Sequence, residues 1–211
     1  MSVEIFDFLK KLFNERDFRL YMIGSTSRDF LLGKEISDFD FVTDAKPYEV
    51  KEFLDVDLTF SKYGAMSYKY NGTKIDIVTL RKERIYSDFR HPAEIEFIND
   101  IKVDYLRRDF TINAIYINEK YEIEDISKQG YEDLINKKLI FIGDPLTRIK
   151  EDPLRILRAY RFAYQYDLKI DENTKKLLED NYYLIENLNK FKVDEENKKF
   201  LKMKERKNGT N

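Results

Sequence analysis

The chain has 211 residues, 42% hydrophobic and 37% charged, with a formal net charge of −2, which suits one large domain or two small ones with a real core and gives no global basic signature for nucleic acid. It contains no cysteine and a single histidine, His91, so disulfides, cysteine-bound zinc or iron–sulfur centres and multi-histidine metal sites are excluded. No apolar run approaches ~18 residues and no basic stretch leads into an apolar one at the N-terminus, so neither a membrane span nor a signal peptide is expected, and a soluble cytoplasmic protein is the default.

In chain order, residues 3–13 place Ile5, Phe6, Leu9, Leu12 and Phe13 at helical spacing, with Ser2 as N-cap. Residues 19–23 read as a short buried strand. Gly24 permits a sharp exit, and Ser25, Thr26 and Ser27 are placed to cap a helix that runs through Arg28 to Leu32 and stops at Gly33. Residues 38–42 alternate as a strand. Pro47 opens a short helix carrying Val50, Phe53 and Leu54. Asn71-Gly72 between alternating segments 66–70 and 73–78 predicts a hairpin with a type I′ turn. Residues 82–92 are polar and irregular and read as a mobile loop. Residues 94–98, 112–117 and 139–142 read as strands. From Pro145 helical spacing takes over, with Leu154, Ile156, Leu157, Tyr160 and Phe162, then Leu177 and Leu178, then Phe200 and Leu201. The basic end is expected to fray after Met203. The fold class is α+β, with a mixed-sheet domain over 1–143 and a small all-helical domain over 144–211.

Chemistry concentrates in a few places. A strand that ends in small residues and opens a helix presents unpaired N–H groups, a natural seat for phosphate. Just downstream, Asp38 and Asp40 stand two apart on one strand face, roughly 7 Å along the strand. Two carboxylates beside an anion seat suit Mg²⁺ shared with a triphosphate; taken alone, an Asp-x-Asp pair is more often an ordinary acidic loop. Asp76 points opposite to Ile75 and Ile77, as a third carboxylate would and as any solvent-facing strand residue does. Arg107, Arg108 and Asp109 form either a phosphate- and ribose-holding cluster or a surface salt-bridge group. Asp152, Arg155 and Arg158 share an arc of about 120° on one helix, with Arg161 drifting further round. Their planar edges can read a base, although a charged helix face is more often simply solvated.

These blocks together resemble the class II tRNA nucleotidyltransferase and bacterial poly(A) polymerase family of the polymerase-β superfamily. Residues 21–33 (YMIGSTSRDFLLG) resemble its Gly-Gly-x-x-Arg-Asp block, with Ser25 in place of the second glycine. Asp38-Phe39-Asp40 is similar to its metal pair, 75–81 (IDIVTLR) to the strand bearing its third acid, and 86–92 (YSDFRHP) to its flexible catalytic loop. Residues 107–114 (RRDFTINA) resemble its Arg-Arg-Asp block, and 151–162 its nucleotide-selecting helix.

The resemblance implies a polymerase-β-like catalytic head followed by a helical neck. It implies Asp38 and Asp40 as Mg²⁺ ligands in a two-metal mechanism, with Asp76 activating the primer hydroxyl. Gly24, Ser25, Arg28, Arg108 and Asp109 are then nucleotide-binding, on the phosphate and sugar side. Asp152 and Arg155 select the base, supported by Arg158 and Arg161, and Asp88, Arg90 and His91 belong to the flexible loop. The implied reaction is attack of an RNA 3′-hydroxyl on the α-phosphate of CTP or ATP, extending tRNA by C, A or both. The alternatives are a poly(A) polymerase, a non-catalytic nucleotide- or RNA-binding module, or a subunit of a split enzyme. Members of the family carry further body and tail domains that hold the tRNA. The chain is accordingly expected to be a fragment, a minimal enzyme, or a subunit for which a second copy or a partner chain supplies that surface.

Overall fold

The computed structural model describes residues 2–86 and 92–208. Helix α1 (Ser2–Asn14) turns Ile5, Phe6, Leu9 and Phe13 inward. Then follow β1 (Leu20–Met22), α2 (Gly24–Leu31), β2 (Phe39–Thr43), α3 (Pro47–Lys51), and the hairpin of β3 (Ala65–Tyr70) and β4 (Thr73–Thr79). Asn71 and Gly72 both have positive φ, 49° and 83°, as a type I′ turn requires. A separate ribbon pairs β5 (Arg81–Tyr86) with β6 (Pro92–Phe97). Helix α4 (Ile101–Arg107), β7 (Ile115–Ile117), β8 (Ile123–Asp125) and α5 (Gly130–Ile135) complete the first part.

The main sheet has six strands in the order β3-β4-β2-β1-β7-β8. The pairing of β2 with β4 is parallel and the other four are antiparallel. Strand periodicity sorts the side chains onto two faces. Phe39 and Phe41 of β2 and Ile75 and Ile77 of β4 enter the same apolar cluster as α1. Asp40 and Asp76, between them, project from the other face.

Beyond residue 125 no strand occurs among the described residues. Helix α6 (Pro145–Glu151) starts at Pro145 with Asp144 as N-cap, whose carboxylate accepts from the Thr147 N–H at 2.8 Å. It ends at Glu151 because Pro153 has no N–H to continue it and holds Asp152 extended, at φ −145° and ψ 95°. Helices α7 (Leu154–Tyr166), α8 (Glu172–Asp180) and α9 (Lys190–Asn208) follow. Phe110, Ile112, Leu134 and Phe141 pack with Ile149, Ile156, Phe162 and Leu178 in one apolar cluster, so the helical part shares a core with the end of the first part. No described helix is long and apolar enough to cross a membrane.

Several sequence expectations need correction. Of the loop expected over 82–92, residues 82–86 are strand because their backbone pairs with β6, Pro92 opens β6, and 87–91 lie outside the described residues. The expected strand over 112–117 is a 3-10 turn at Thr111–Asn113 followed by β7. Residues 139–142 form no strand and carry one isolated bridge, from Phe141 to Phe110, with a second just before them from Lys138 to Lys169. The helix expected to open at Glu151 opens at Leu154 with Pro153 as its N-cap, so Glu151 closes α6 and Asp152 lies between the two helices rather than on the arginine face of α7. Helix α9 continues past Met203 to Asn208. The serine and threonine cluster does not cap α2: the N-cap is Ile23 and no side chain caps it. The Ser25 and Thr26 hydroxyls are taken by the aspartate strand instead, and Ser27 donates to the Gly24 carbonyl.

Candidate active site

The turn between β1 and α2 lies beside the start of β2. Gly24 has φ +62°, and a Cβ there would stand 3.0 Å from Asp40 Oδ2. Glycine is needed for both reasons. The Ser25 hydroxyl donates to Asp40 Oδ2 at 2.5 Å, and the Ser25 N–H points at the same oxygen at 3.3 Å. Thr26 Oγ1 donates to the Asp38 carbonyl at 3.0 Å and accepts from the Asp40 N–H at 2.6 Å. The first turn of α2 therefore holds the backbone of both aspartates. Asp38 sits in a bend one residue before β2, exposed, while Asp40 is half-buried on the strand. Parallel pairing sets Asp40 directly against Asp76 on β4. Lys74 bridges to Asp76 at 2.8 Å.

Across from the carboxylates lie cations fixed by buried acids. Asp104 of α4, fully buried, takes Arg107 Nε at 2.8 Å, Arg108 Nη2 at 2.8 Å and the Tyr116 hydroxyl at 2.7 Å. Burial would raise the Asp104 carboxyl, but Arg107 and Arg108 outweigh it and hold it far below the usual carboxylate range. Asp109 behaves in the same way: burial opposes ionisation, and Arg158 with the Asn113 amide more than restores it. Asp109 Oδ2 receives Arg158 Nη2 at 2.6 Å, and its Oδ1 receives Asn113 Nδ2 at 2.8 Å. Arg28 is buried, donates to Asn113 Oδ1, and lies 4.9 and 4.8 Å from the rings of Phe162 and Tyr166. The Tyr166 hydroxyl donates to Asp29 at 3.2 Å. Burial, the largest influence on Asp29, raises its carboxyl against the pull of Arg28 and Tyr166.

On α7, Arg155 is buried and donates to the Arg148 carbonyl at 2.7 Å and to Glu151 at 2.9 Å. Arg161 pairs with the buried Glu196 of α9 and stacks 4.1 Å from the Phe162 ring. Asp152 accepts from the Leu154 N–H at 3.1 Å. Arg148 ties the two parts together by donating to the Arg107 and Arg108 carbonyls, each at 2.8 Å.

All twelve of the predicted catalytic and nucleotide-side residues that lie among the described residues line one cleft of about 1280 Å³. They are Gly24, Ser25, Arg28, Asp38, Asp40, Asp76, Arg108, Asp109, Asp152, Arg155, Arg158 and Arg161. Asp88, Arg90 and His91 lie outside the described residues. Twelve lysines and arginines line the cleft against six aspartates and glutamates, so a chain that is net acidic turns a cationic surface inward here. The sequence reading assigned no role to Asp104, Asn113, Glu151 or Glu196. Two of these carry a signal: Asp104 lies three and four residues before Arg107 and Arg108, and Glu151 four before Arg155, the spacing of helical ion pairs. Glu196 is 35 residues from Arg161 and has none.

Mg²⁺ binds hard oxygens, keeps several waters, and is usually held by one or two carboxylates together with substrate phosphates. Asp38 and Asp40, with Asp76 alongside, supply such oxygens at one wall of the cleft. Among the described residues no three metal-binding side chains form a closed cage. This donor set fits an ion shared with a triphosphate, rather than one held by the protein alone.

Comparison with known proteins agrees with this architecture. Residues 20–140 match the Poly A polymerase head domain family. The chain is 36% identical over 187 residues to the CCA-adding enzyme of Lactobacillus helveticus, covering 88% of this chain and 46% of that one. It is 38% identical over 192 residues to the CCA-adding enzyme of Enterococcus faecalis, covering 90% and 46%. Among solved structures, the Bacillus stearothermophilus CCA-adding enzyme in complex with CTP superposes with a TM-score of 0.84 at 25% identity, over 95% of this chain and 48% of that one. The Thermotoga maritima CCA-adding enzyme complexed with tRNA gives 0.73 at 28% identity, over 94% and 46%. The chain thus spans about half the length of the curated relatives it matches, and its mixed sheet followed by helices is the nucleotidyltransferase head and neck of those structures. With more than half its residues inside the matched region, the chain belongs to the Poly A polymerase head domain family.

Proposed function

We propose that the chain is the catalytic head (1–143) and neck (144–211) of a cytoplasmic, template-independent RNA nucleotidyltransferase that adds C, A or both to the 3′ end of tRNA. The observation that carries this reading is the register of Asp40 against Asp76 on the parallel pair, facing the α7 arginines across one cationic cleft. The names of the relatives favour tRNA over poly(A) synthesis.

In this reading Asp38 and Asp40 hold Mg²⁺. When bound, the ion lowers the pKa of the attacking hydroxyl and offsets charge on the departing pyrophosphate. The first turn of α2, whose Ser25 hydroxyl and N–H hold Asp40 Oδ2, faces the triphosphate. Arg108, fixed by Asp104, presents its charge to phosphate and ribose, and Arg28 and Asp109 brace that wall. Asp76 orients the RNA 3′-hydroxyl and takes its proton. The 3′-oxygen then bonds to the α-phosphorus in line with the breaking bond to pyrophosphate. Asp152 and Arg155 offer an acceptor and a donor edge to the base, with Arg158 and Arg161 holding α7 in place.

The test is incubation with tRNA lacking its 3′ end, Mg²⁺, and CTP or ATP supplied separately. Limited addition of C or A to tRNA supports the reading. Long A tails on unrelated RNA would instead assign a poly(A) polymerase. No transfer by chain that binds nucleotide would assign a binding module or a subunit that needs a second chain.

A further inference from the structure

Among the described residues outside the assigned machinery, the cleft contains one exposed aromatic ring. Phe60 is 63% exposed, yet it lines the same cleft as the carboxylates, two residues before Lys62, which lines it too. A single exposed phenylalanine on a surface is ordinary. This one differs in its setting.

Its position is fixed by the sheet. Asp57 bridges to Ser67 of β3, Ser67 is opposite Asp76 of β4, and Asp76 is opposite Asp40 of β2. One row of backbone therefore crosses from the metal-side carboxylate to the segment that carries Phe60. At the usual strand spacing, Asp57 lies about 10 Å from Asp76.

The turn is also rigid. The Asp57 carboxylate takes the Thr59 N–H at 2.8 Å and the Thr59 hydroxyl at 2.6 Å. The Phe60 carbonyl accepts from Tyr63 at 2.9 Å and Ala65 at 3.3 Å, Arg81 donates to the Tyr63 carbonyl, and Gly64 closes the turn at φ +75°. A ring held out of the core by so many backbone bonds is presented rather than left over. Among the described residues no other aromatic ring pairs with it, and Lys62, exposed at the same cleft, can meet phosphate.

We propose that Phe60 is the stacking platform for the base of the RNA's single-stranded 3′-terminal nucleotide, with Lys62 on the adjoining phosphate. This rests on the nucleotidyltransferase reading, because it needs the 3′-hydroxyl to sit at Asp76. The incoming nucleotide's base is read on the opposite wall, at α7, which leaves the β3 side of the cleft for the primer. Proteins that hold unpaired RNA ends stack bases on aromatic side chains, and every base has a face to offer.

The chain contains no tryptophan, so F60W installs a single reporter. Its emission is expected to be quenched by an RNA hairpin with an unpaired 3′ end and unaffected by the same hairpin made blunt. In steady-state addition, Phe60→Ala is expected to raise the KM for RNA about tenfold and to leave the KM for CTP and ATP unchanged, with Phe60→Tyr restoring the wild-type value. The proposal is overturned if F60W emission does not change at RNA concentrations that saturate binding by gel shift. It is also overturned if Phe60→Ala raises the nucleotide KM as much as the RNA KM. A wild-type chain that transfers no nucleotide would defeat the activity reading, and the fluorescence titration would still decide the stacking.

Discussion

Arg158 on α7 places Nε at 2.7 Å and Nη2 at 2.6 Å from the same carboxylate oxygen of Asp109. This contact joins the helical part to the end of the sheet domain, and the Asp109 side chain is almost fully buried. Removing one partner of a buried pair leaves the other charge without compensation, which costs about 3–5 kcal/mol. Arg158 is partly exposed, so Arg158→Ala is expected at the low end, about 3 kcal/mol in urea denaturation. A loss under 1 kcal/mol would mean that water replaces the guanidinium.

Much of the site was readable in the sequence, because its residues sit in local patterns. A glycine exit from a strand, an Asp-x-Asp pair and arginines at helical spacing are each set within a few residues. What the sequence hid was the reason they stay in place. Ser25 and Thr26 read as caps because hydroxyls near a helix start usually bond its own N–H groups. Here the neighbouring strand brings Asp38 and Asp40 closer, and the hydroxyls turn to them. Glu196 reaches Arg161 only because α9 folds back along α7. The weak elements, β8 and α5, were missed for another reason: at three and six residues each is shorter than the run over which alternation or helical spacing can be read.

The two aspartates and the glycine beside them should be separable in kinetics. Asp38→Ala and Asp40→Ala are expected to lower kcat by about a hundredfold or more, in the range seen when one electrostatic contact to a transition state is lost, with circular dichroism unchanged. Gly24→Ala should act through Asp40. Its Cβ meets Oδ2 at 3.0 Å, and the left-handed backbone adds about 1–2 kcal/mol. Turnover should therefore fall and the Tm drop with it. Asp40→Ala retaining most of its turnover would remove the metal-site assignment.

Acid stability follows from Asp104. Its folded pKa is depressed below the unfolded value of about 3.9. The stability it contributes is complete above the unfolded value and disappears as the pH falls toward the folded one. The unfolding free energy is therefore expected to decline as the pH drops below about 4. Asp104→Asn should be less stable at pH 7 and show a shallower decline in acid. Parallel curves for the two proteins would place the acid-sensitive group elsewhere.

Base choice is tested most cleanly as a ratio. Arg155 is buried against Glu151 and the Arg148 carbonyl, so Arg155→Ala also weakens the fold. The ratio of kcat/KM for CTP and ATP does not depend on the fraction of folded enzyme. A bidentate contact to a base edge discriminates by about 1–3 kcal/mol. Arg155→Ala is expected to bring the ratio toward one, or to abolish use of both nucleotides. An unchanged ratio would move selection off this side chain.

RNA affinity of the isolated chain should be weak and strongly dependent on salt. The net charge is −2, and the cations available to RNA are local, notably Lys192, Lys199 and Lys202 of α9 at the edge of the cleft. Each phosphate contact to a single strand contributes a slope of about −0.7 in log K against log salt. Replacing all three lysines by alanine should reduce the slope by about 2, and should weaken tRNA and an unrelated hairpin alike, since phosphate contacts carry no sequence information. Little preference for tRNA is expected from the monomer, and more if it dimerises or recruits a second chain. Sedimentation run beside the titration separates these cases. Tight, tRNA-selective binding by a proven monomer would show that the head and neck suffice to recognise their substrate.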